Sequence, residues 1–258
     1  MKEPSGASAA VTVIVPAYNE ADSLPMLMPS LVAFVQERGW HLIVVDDGST
    51  DATPSALAPY AEAPGVTLLR HGMNRGYGGA VKTGIKAATT DLIVTVDADG
   101  QHRLEDLDAL HAELQRSGAD MVLGNRNRQR SSPYREFGKY LIRRITRILM
   151  PLPVRDINSG MRMCRRDLAT RYLQLCPDSY AFCDVITLVF IHERRLVVEH
   201  SIAMNRRLAG ESAVTTKTAF DTVMEILHIV TLFNPDARWR LQPAEKSWTR
   251  APMPRRTR

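Results

Sequence analysis

The sequence predicts an α/β fold built on a mainly parallel, twisted sheet flanked by helices. Three observations carry that prediction. Short β-rich apolar runs alternate with helical patterns through the first half of the chain. The runs are continuous rather than alternating, as strands covered on both faces require. Polar, acid-rich clusters follow them, at the carboxyl edge where open α/β sheets bind ligands.

The elements follow in order. VTVIVP (11–16), HLIVVDD (41–47), VTLLR (66–70), DLIVTVDAD (91–99) and ADMVLGN (119–125) read as strands. Between them, 20–38, 50–60, 76–89 and 104–117 show the apolar spacing of helices. The second half is less regular. Helices are expected over 137–150, 167–175, 184–194 and 220–233, and a strand over 196–204. One domain therefore covers 11–235, after a flexible N-terminus at 1–10. The Pro- and Arg-rich stretch 236–258 reads as a disordered basic tail.

A chain of 258 residues, 45% apolar and 24% charged, has enough material for a sizeable core without disulfides. Cys164, Cys176 and Cys183 make an odd set without metal-ligand spacing, which fits reduced, buried thiols in the cytoplasm. No signal peptide opens the chain, and no apolar run approaches the ~20 residues that cross a bilayer. The expectation is a cytoplasmic protein, at most peripheral on the inner membrane face.

The net charge of +5 is polarised: 126–171 carries +10, 238–258 carries +6, and the remainder is near −11. Such a basic middle fits an anionic, phosphate-bearing partner. No helix-turn-helix, zinc-finger or RNA-binding signature accompanies it, so nucleic acid is not expected.

The chemistry starts with VDADGQH (96–102), where Asp97 and Asp99 close a buried apolar strand. Neighbouring carboxylates repel unless a cation holds them, and hard oxygen ligands suit Mg²⁺ or Mn²⁺ shared with substrate phosphates. Gln101 adds a third oxygen at alternate spacing. Taken alone, D-x-D is equally a turn closed by Asp99 and Gly100. In VVDDGSTD (44–51), Ser49 or Thr50 fits a helix cap, while Asp46 is placed to accept from a base or ribose. In IVPAYNE (14–20), Tyr18 suits base stacking and Glu20 a ribose hydroxyl. A core tyrosine and a helix-start acid are the plainer readings. HGMNRGYGGAVKTG (71–84) matches neither a P-loop nor a dinucleotide fingerprint. Its glycines either admit a sugar close to the backbone or pack a helix on the sheet.

Together IVPAYNE, VVDDGSTD, NRGYGGAVKTG and VDADGQH resemble, in order and spacing, the motifs of family-2 glycosyltransferases of the GT-A fold. VLGNR (122–126), DINSGMR (156–162) and RRLAGES (206–212) resemble later motifs of the dolichol-phosphate mannosyltransferase and polyprenyl-phosphate glycosyltransferase branch. The resemblance implies an inverting enzyme that moves a sugar from a nucleotide-diphospho-sugar to a polyprenyl phosphate. It places Pro16, Tyr18 and Glu20 along the nucleotide, and Val44 and Asp46 at the base. Asp97, Ala98, Asp99 and Gln101 match the segment that holds the metal and diphosphate. Arg126 and Arg207 would contact phosphate. Arg143, Arg144 and Thr146 would hold the lipid phosphate, and Ser159 and Arg162 match the acceptor-side SGxR motif. The chain departs from the branch at Ala213, where a lysine is usual; Lys217 lies nearby.

Breaking the sugar–diphosphate bond develops negative charge on the diphosphate and oxocarbenium character on the sugar. Asp97 and Asp99 with their cation, and Arg126, would stabilise that leaving group. A lipid phosphate is already ionised and needs no strong base; a hydroxyl acceptor would need one, for which Asp156 and Asp184 are candidates. The 137–150 segment sets Lys139, Arg143, Arg144 and Arg147 against Phe137, Leu141, Ile145, Ile148 and Leu149, the pattern of a basic helix in a membrane interface or of a core-packed helix with a solvated face. The alternatives are a transferase acting on a soluble hydroxyl and an inert nucleotide-binding module.

Overall fold

The structure, a computed structural model, describes residues 10–126 and 154–205. Their strands form one seven-stranded sheet in the order β3-β2-β1-β4-β6-β5-β7. β1 (Val11–Ala17) lies parallel between β2 (His41–Asp46) and β4 (Leu92–Thr95), and β3 (Val66–Arg70) runs parallel to β2 at the edge. β6 (Arg162–Arg165) is antiparallel to both β4 and β5 (Met121–Arg126), while β7 (Val197–Ile202) is parallel to β5.

The expected strands are present, but the sheet is mixed, and β6 is a correction to the expected pattern. RMCR is four residues long with an arginine at each end, so it shows no apolar run. Its reversed direction has a consequence for the site. Arg162 pairs with Thr95 and Leu123, so the segment that precedes β6 enters at the carboxyl edge of β4 and β5. The strand order reverses between β1 and β4, the switch point where such sheets open a crevice.

Side chains of the central strands alternate between two cores. Val11, Val13, Val15, Leu42, Val44 and Val94 face α1 (Leu24–Arg38) and α4 (Glu105–Ser117). Ile14, Ile43, Val45 and Ile93 face α3 (Tyr77–Ala87), α5 (Arg166–Tyr172) and α6 (Phe182–His192). This two-sided burial explains why the runs are continuously apolar. β3 is the exception: none of its residues is fully buried, as befits an edge strand. Gly84 of α3 meets Ile14, so at this position the glycine packs the helix on the sheet.

Several boundaries move inward. α1 begins at Leu24 rather than near residue 20, with Pro25 in its first turn. The 50–60 segment is α2 (Thr53–Leu57) followed by a short 3-10 turn. β4 stops at Thr95, so Asp97 and Asp99 stand beyond the strand. The three cysteines are free and buried, and burial pushes the Cys164 and Cys176 thiols up to about 12. No helix among the described residues is long and apolar enough to cross a membrane. The expected helices at 137–150 and 220–233, and both termini, lie outside the described residues.

Candidate active site

The turns after β1 and β2 are stitched side by side at the carboxyl edge. Asn19, at φ 55°, accepts the Thr50 N–H on its side-chain oxygen at 2.9 Å. Its own N–H donates to Ser49 Oγ at 3.0 Å, and the Glu20 N–H donates to Thr53 Oγ1 at 2.8 Å. The expected cap by Ser49 or Thr50 is therefore corrected. The N-cap of α2 is Ala52, which makes no side-chain cap, and the hydroxyls of Ser49 and Thr53 hold the neighbouring turn instead. Above this scaffold Tyr18 is left 44% exposed, and the Glu20 carboxylate accepts the Ser23 hydroxyl at 2.5 Å. Pro16 is buried within β1 and Val44 is a core residue, so neither presents its side chain at the surface.

Both acids of the Asp46–Asp47 pair are buried, and each has its own work. Asp46 Oδ1 accepts the Ser49 N–H at 2.9 Å, and Oδ2 lies 3.1 Å from Arg70 Nε. That second approach is an ion pair without hydrogen-bond alignment. Asp47 accepts the N–H groups of Arg75 (2.9 Å) and Gly76 (2.8 Å) and contacts His71 Nδ1 at 2.6 Å. His71 Nε2 in turn meets Thr83 Oγ1 at 2.9 Å. Asp47 thus ties the end of β2 to the glycine-rich segment, a role hidden in sequence because its partners are backbone groups some thirty positions on.

Asp97 stands just past β4 with its side chain 33% exposed. Tyr77 donates its hydroxyl to Asp97 Oδ1 at 3.1 Å, and the Asp97 N–H donates to His102 Nδ1 at 3.2 Å. That acceptor role leaves the His102 hydrogen on Nε2, 3.9 Å from Asp97 Oδ2. Asp99 Oδ1 accepts the Gln101 N–H at 3.0 Å over Gly100, so the turn reading of this segment is real. Ala98 is buried between the two acids. The Gln101 carbonyl accepts from the Asn205 N–H at 2.8 Å, which ties the segment to the chain after β7.

Among the described residues no three His, Cys, Asp or Glu side chains close on a metal. A full protein cage is thus not on offer there. What 97–101 presents is two carboxylates and an amide on a fixed turn, a donor set that fits Mg²⁺ or Mn²⁺ sharing its coordination with phosphates.

At the end of β5, Arg126 forks onto Asp156, with Nε to Oδ2 at 2.9 Å and Nη2 to Oδ1 at 3.0 Å. Nη2 also donates to the Asn158 carbonyl at 2.9 Å. Burial works against the Arg126 charge, but the Asp156 bond and charge outweigh it and hold the guanidinium protonated. Glu199 of β7 clasps the same segment: its carboxylate accepts the backbone N–H groups of Arg155 and Asp156 (2.7 Å for the latter) and the Asn125 amide at 3.1 Å.

A family model for glycosyl transferase family 2 matches residues 12–173. The chain belongs to glycosyl transferase family 2. The undecaprenyl-phosphate 4-deoxy-4-formamido-L-arabinose transferase of Enterobacter sp. (strain 638) is 29% identical over 225 residues, 86% of this chain and 67% of that protein. An uncharacterised protein of Methanocaldococcus jannaschii is 34% identical over 179 residues, 66% of this chain and 71% of its own. Glucosyl-3-phosphoglycerate synthase from Mycobacterium tuberculosis, in complex with Mn²⁺, UDP and phosphoglyceric acid, superposes with a TM-score of 0.66 at 17% identity, covering 87% of this chain and 78% of that one. This family-2 glycosyltransferase has the GT-A fold.

Within the glycosyltransferase, the structure gathers Tyr18, Glu20 and Asp46 along β1 and β2, Asp97, Asp99 and Gln101 past β4, and Arg126 at the end of β5. Two residues assigned to the acceptor, Ser159 and Arg162, have their side chains turned inward. Ser159 is fully buried, and Arg162 is 3% exposed, donating to the Ser159 and Cys183 carbonyls and, at 3.1 Å, to Thr187 Oγ1. In this arrangement they brace the segment that carries Asp156. Arg143, Arg144, Thr146 and Arg207 lie outside the described residues.

Proposed function

We propose that this glycosyltransferase transfers a sugar, with inversion, from a nucleotide-diphospho-sugar to a polyprenyl phosphate. The observation that carries the reading is the similarity over 225 residues to undecaprenyl-phosphate sugar transferases. Asp97, Asp99 and Gln101 would hold Mg²⁺ or Mn²⁺, which when bound supplies positive charge to the departing diphosphate. Tyr18 offers an exposed ring for the base, and Asp46 an acid at the end of β2. Arg126, kept charged and aimed by Asp156, is placed to add positive potential beside Asp97. Arg207 would join it on the donor phosphates.

The placement of the candidate bases favours a phosphate acceptor. Asp156 is forked onto Arg126, so both of its oxygens are already engaged. Asp184 is buried. An acceptor that arrives ionised needs neither. Arg143, Arg144 and Thr146, in the basic stretch of the chain, are the residues assigned to its phosphate, and contact with an anionic membrane surface accompanies that role.

Reversing Arg143 and Arg144 together to Glu tests the acceptor. Transfer to undecaprenyl phosphate should fall at least about a hundredfold, because each of the two charge-assisted contacts is worth ~1.5–3 kcal/mol. Slow hydrolysis of the donor should be retained. Efficient transfer to a soluble hydroxyl acceptor, unaffected by the reversal, would overturn the lipid reading.

A further inference from the structure

We propose that Tyr77, in the glycine-rich segment, is a positioning residue that aims Asp97 at its cation; this rests on the reading of Asp97 as a metal ligand. α3 starts in a constrained turn. Gly76 has φ 92°, and a Cβ there would overlap the Asp178 carbonyl. The Gly79 N–H donates to that same carbonyl at 3.1 Å. From the other side Asp47 holds the N–H groups of Arg75 and Gly76. The first turn of α3 is therefore clamped between the end of β2 and the segment that leads into α6.

Tyr77 is the first residue of that clamped turn, and its ring has a defined seat. It stacks on Tyr180, with centroids 5.5 Å apart and planes 22° from parallel. Its hydroxyl accepts from Cys183 Sγ at 3.6 Å and donates to Asp97 Oδ1 at 3.1 Å. The direction is fixed, because the carboxylate can only accept and the phenol has one hydrogen. A thiol, a phenol and a carboxylate thus form one oriented chain that ends on the proposed ligand.

Among the described residues, the Tyr77 hydroxyl is the side-chain group that hydrogen-bonds the Asp97 carboxylate, while Arg126 acts on it by charge. The terminal torsion of Asp is broad, so an isolated carboxylate would swing. Gly160 backs Asp97 so closely that a Cβ there would overlap the carboxylate. His102 Nε2 stands 3.9 Å from Oδ2, beyond hydrogen-bond reach. The Tyr77 hydroxyl fixes one oxygen and leaves the carboxylate further lone pairs for a metal. Hydrogen bonds of this kind to ligating carboxylates orient them, and their loss costs metal affinity. A tyrosine two residues into GYGG accordingly serves the cation rather than the sugar.

Tyr77→Phe removes the hydroxyl while keeping the ring on Tyr180. Mn²⁺ is titrated into the full chain in the presence of UDP, with GDP in parallel, and free ion is read by electron paramagnetic resonance. Tyr77→Phe should bind Mn²⁺ about tenfold more weakly or worse. Its Tm in EDTA and its metal-free nucleotide affinity should match wild type. Asp97→Ala should lose the Mn²⁺ site. Wild-type Mn²⁺ affinity in Tyr77→Phe, with the site lost in Asp97→Ala, would overturn the positioning role alone. Wild-type affinity in Asp97→Ala would overturn the metal reading beneath it. Should Tyr77→Phe not fold, Cys183→Ala removes the donor to the phenol; a weaker Mn²⁺ site supports the chain of bonds, and an unchanged one overturns it.

Discussion

Asp184 occupies the first turn of α6, 3% exposed, with one carboxylate oxygen lacking a hydrogen-bond partner. Burial pushes its carboxyl up to about 7, against the pull of the Arg162 charge. A raised acid pKa means that the folded state keeps a proton the unfolded chain has released between about pH 4 and pH 7. Stability from this group is therefore full below pH 4, falls as pH rises through that window, and levels off above about 7. Asp184→Asn mimics the neutral form and should flatten the profile. At pH 8 the variant should be more stable than wild type by up to a few kcal/mol, and at pH 4 nearly equal. Chemical denaturation at both pH values checks this, and parallel profiles would contradict it. Arg162, beside it, has its Nε unpaired as well, so the two residues share one partly satisfied charged interior.

At the scale of elements, β6 and β7 matter more than their length suggests. β6 delivers 154–161 to the carboxyl edge, and Glu199 of β7 holds that segment by its backbone N–H groups. Glu199→Ala leaves those donors and the Asn125 amide without their acceptor, while the Arg126–Asp156 fork remains on a looser support. We expect kcat to fall about ten- to a hundredfold with a smaller change in donor KM, since a misplaced supporting charge acts on the reacting geometry. Unchanged kcat would remove Glu199 from the support of Arg126. β7 was legible as a strand over 196–204, but β6 and the grip of Glu199 were not. Strands β1, β2 and β4 announce themselves because both faces are covered, which makes them uniformly apolar. RMCR does not, because its arginines serve the interior and the loop. Asp97 and Asp99 were legible as acids past an apolar strand. Asp47, Glu199 and Tyr77 were not, since each acts on a partner set by folding: loop N–H groups for the two acids, a distant carboxylate for the tyrosine.

For the whole molecule, the strand order explains why these residues converge. Reversal between β1 and β4 opens the crevice, β1 and β2 supply the nucleotide side, and β4 with β5 supplies the acids and Arg126. The basic middle of the chain, +10 over 126–171, begins in sequence at Arg126. The function proposed for this chain is cation-dependent transfer of a sugar to a polyprenyl phosphate. It is tested most directly by incubating the purified full chain with undecaprenyl phosphate and a panel of radiolabelled nucleotide sugars, with Mn²⁺ or with EDTA, and counting label in the lipid phase. Labelled lipid is expected from one donor with Mn²⁺, none with EDTA, and none from Asp99→Ala under either condition. Equal labelling in EDTA, or label that passes only to water-soluble acceptors, would contradict it.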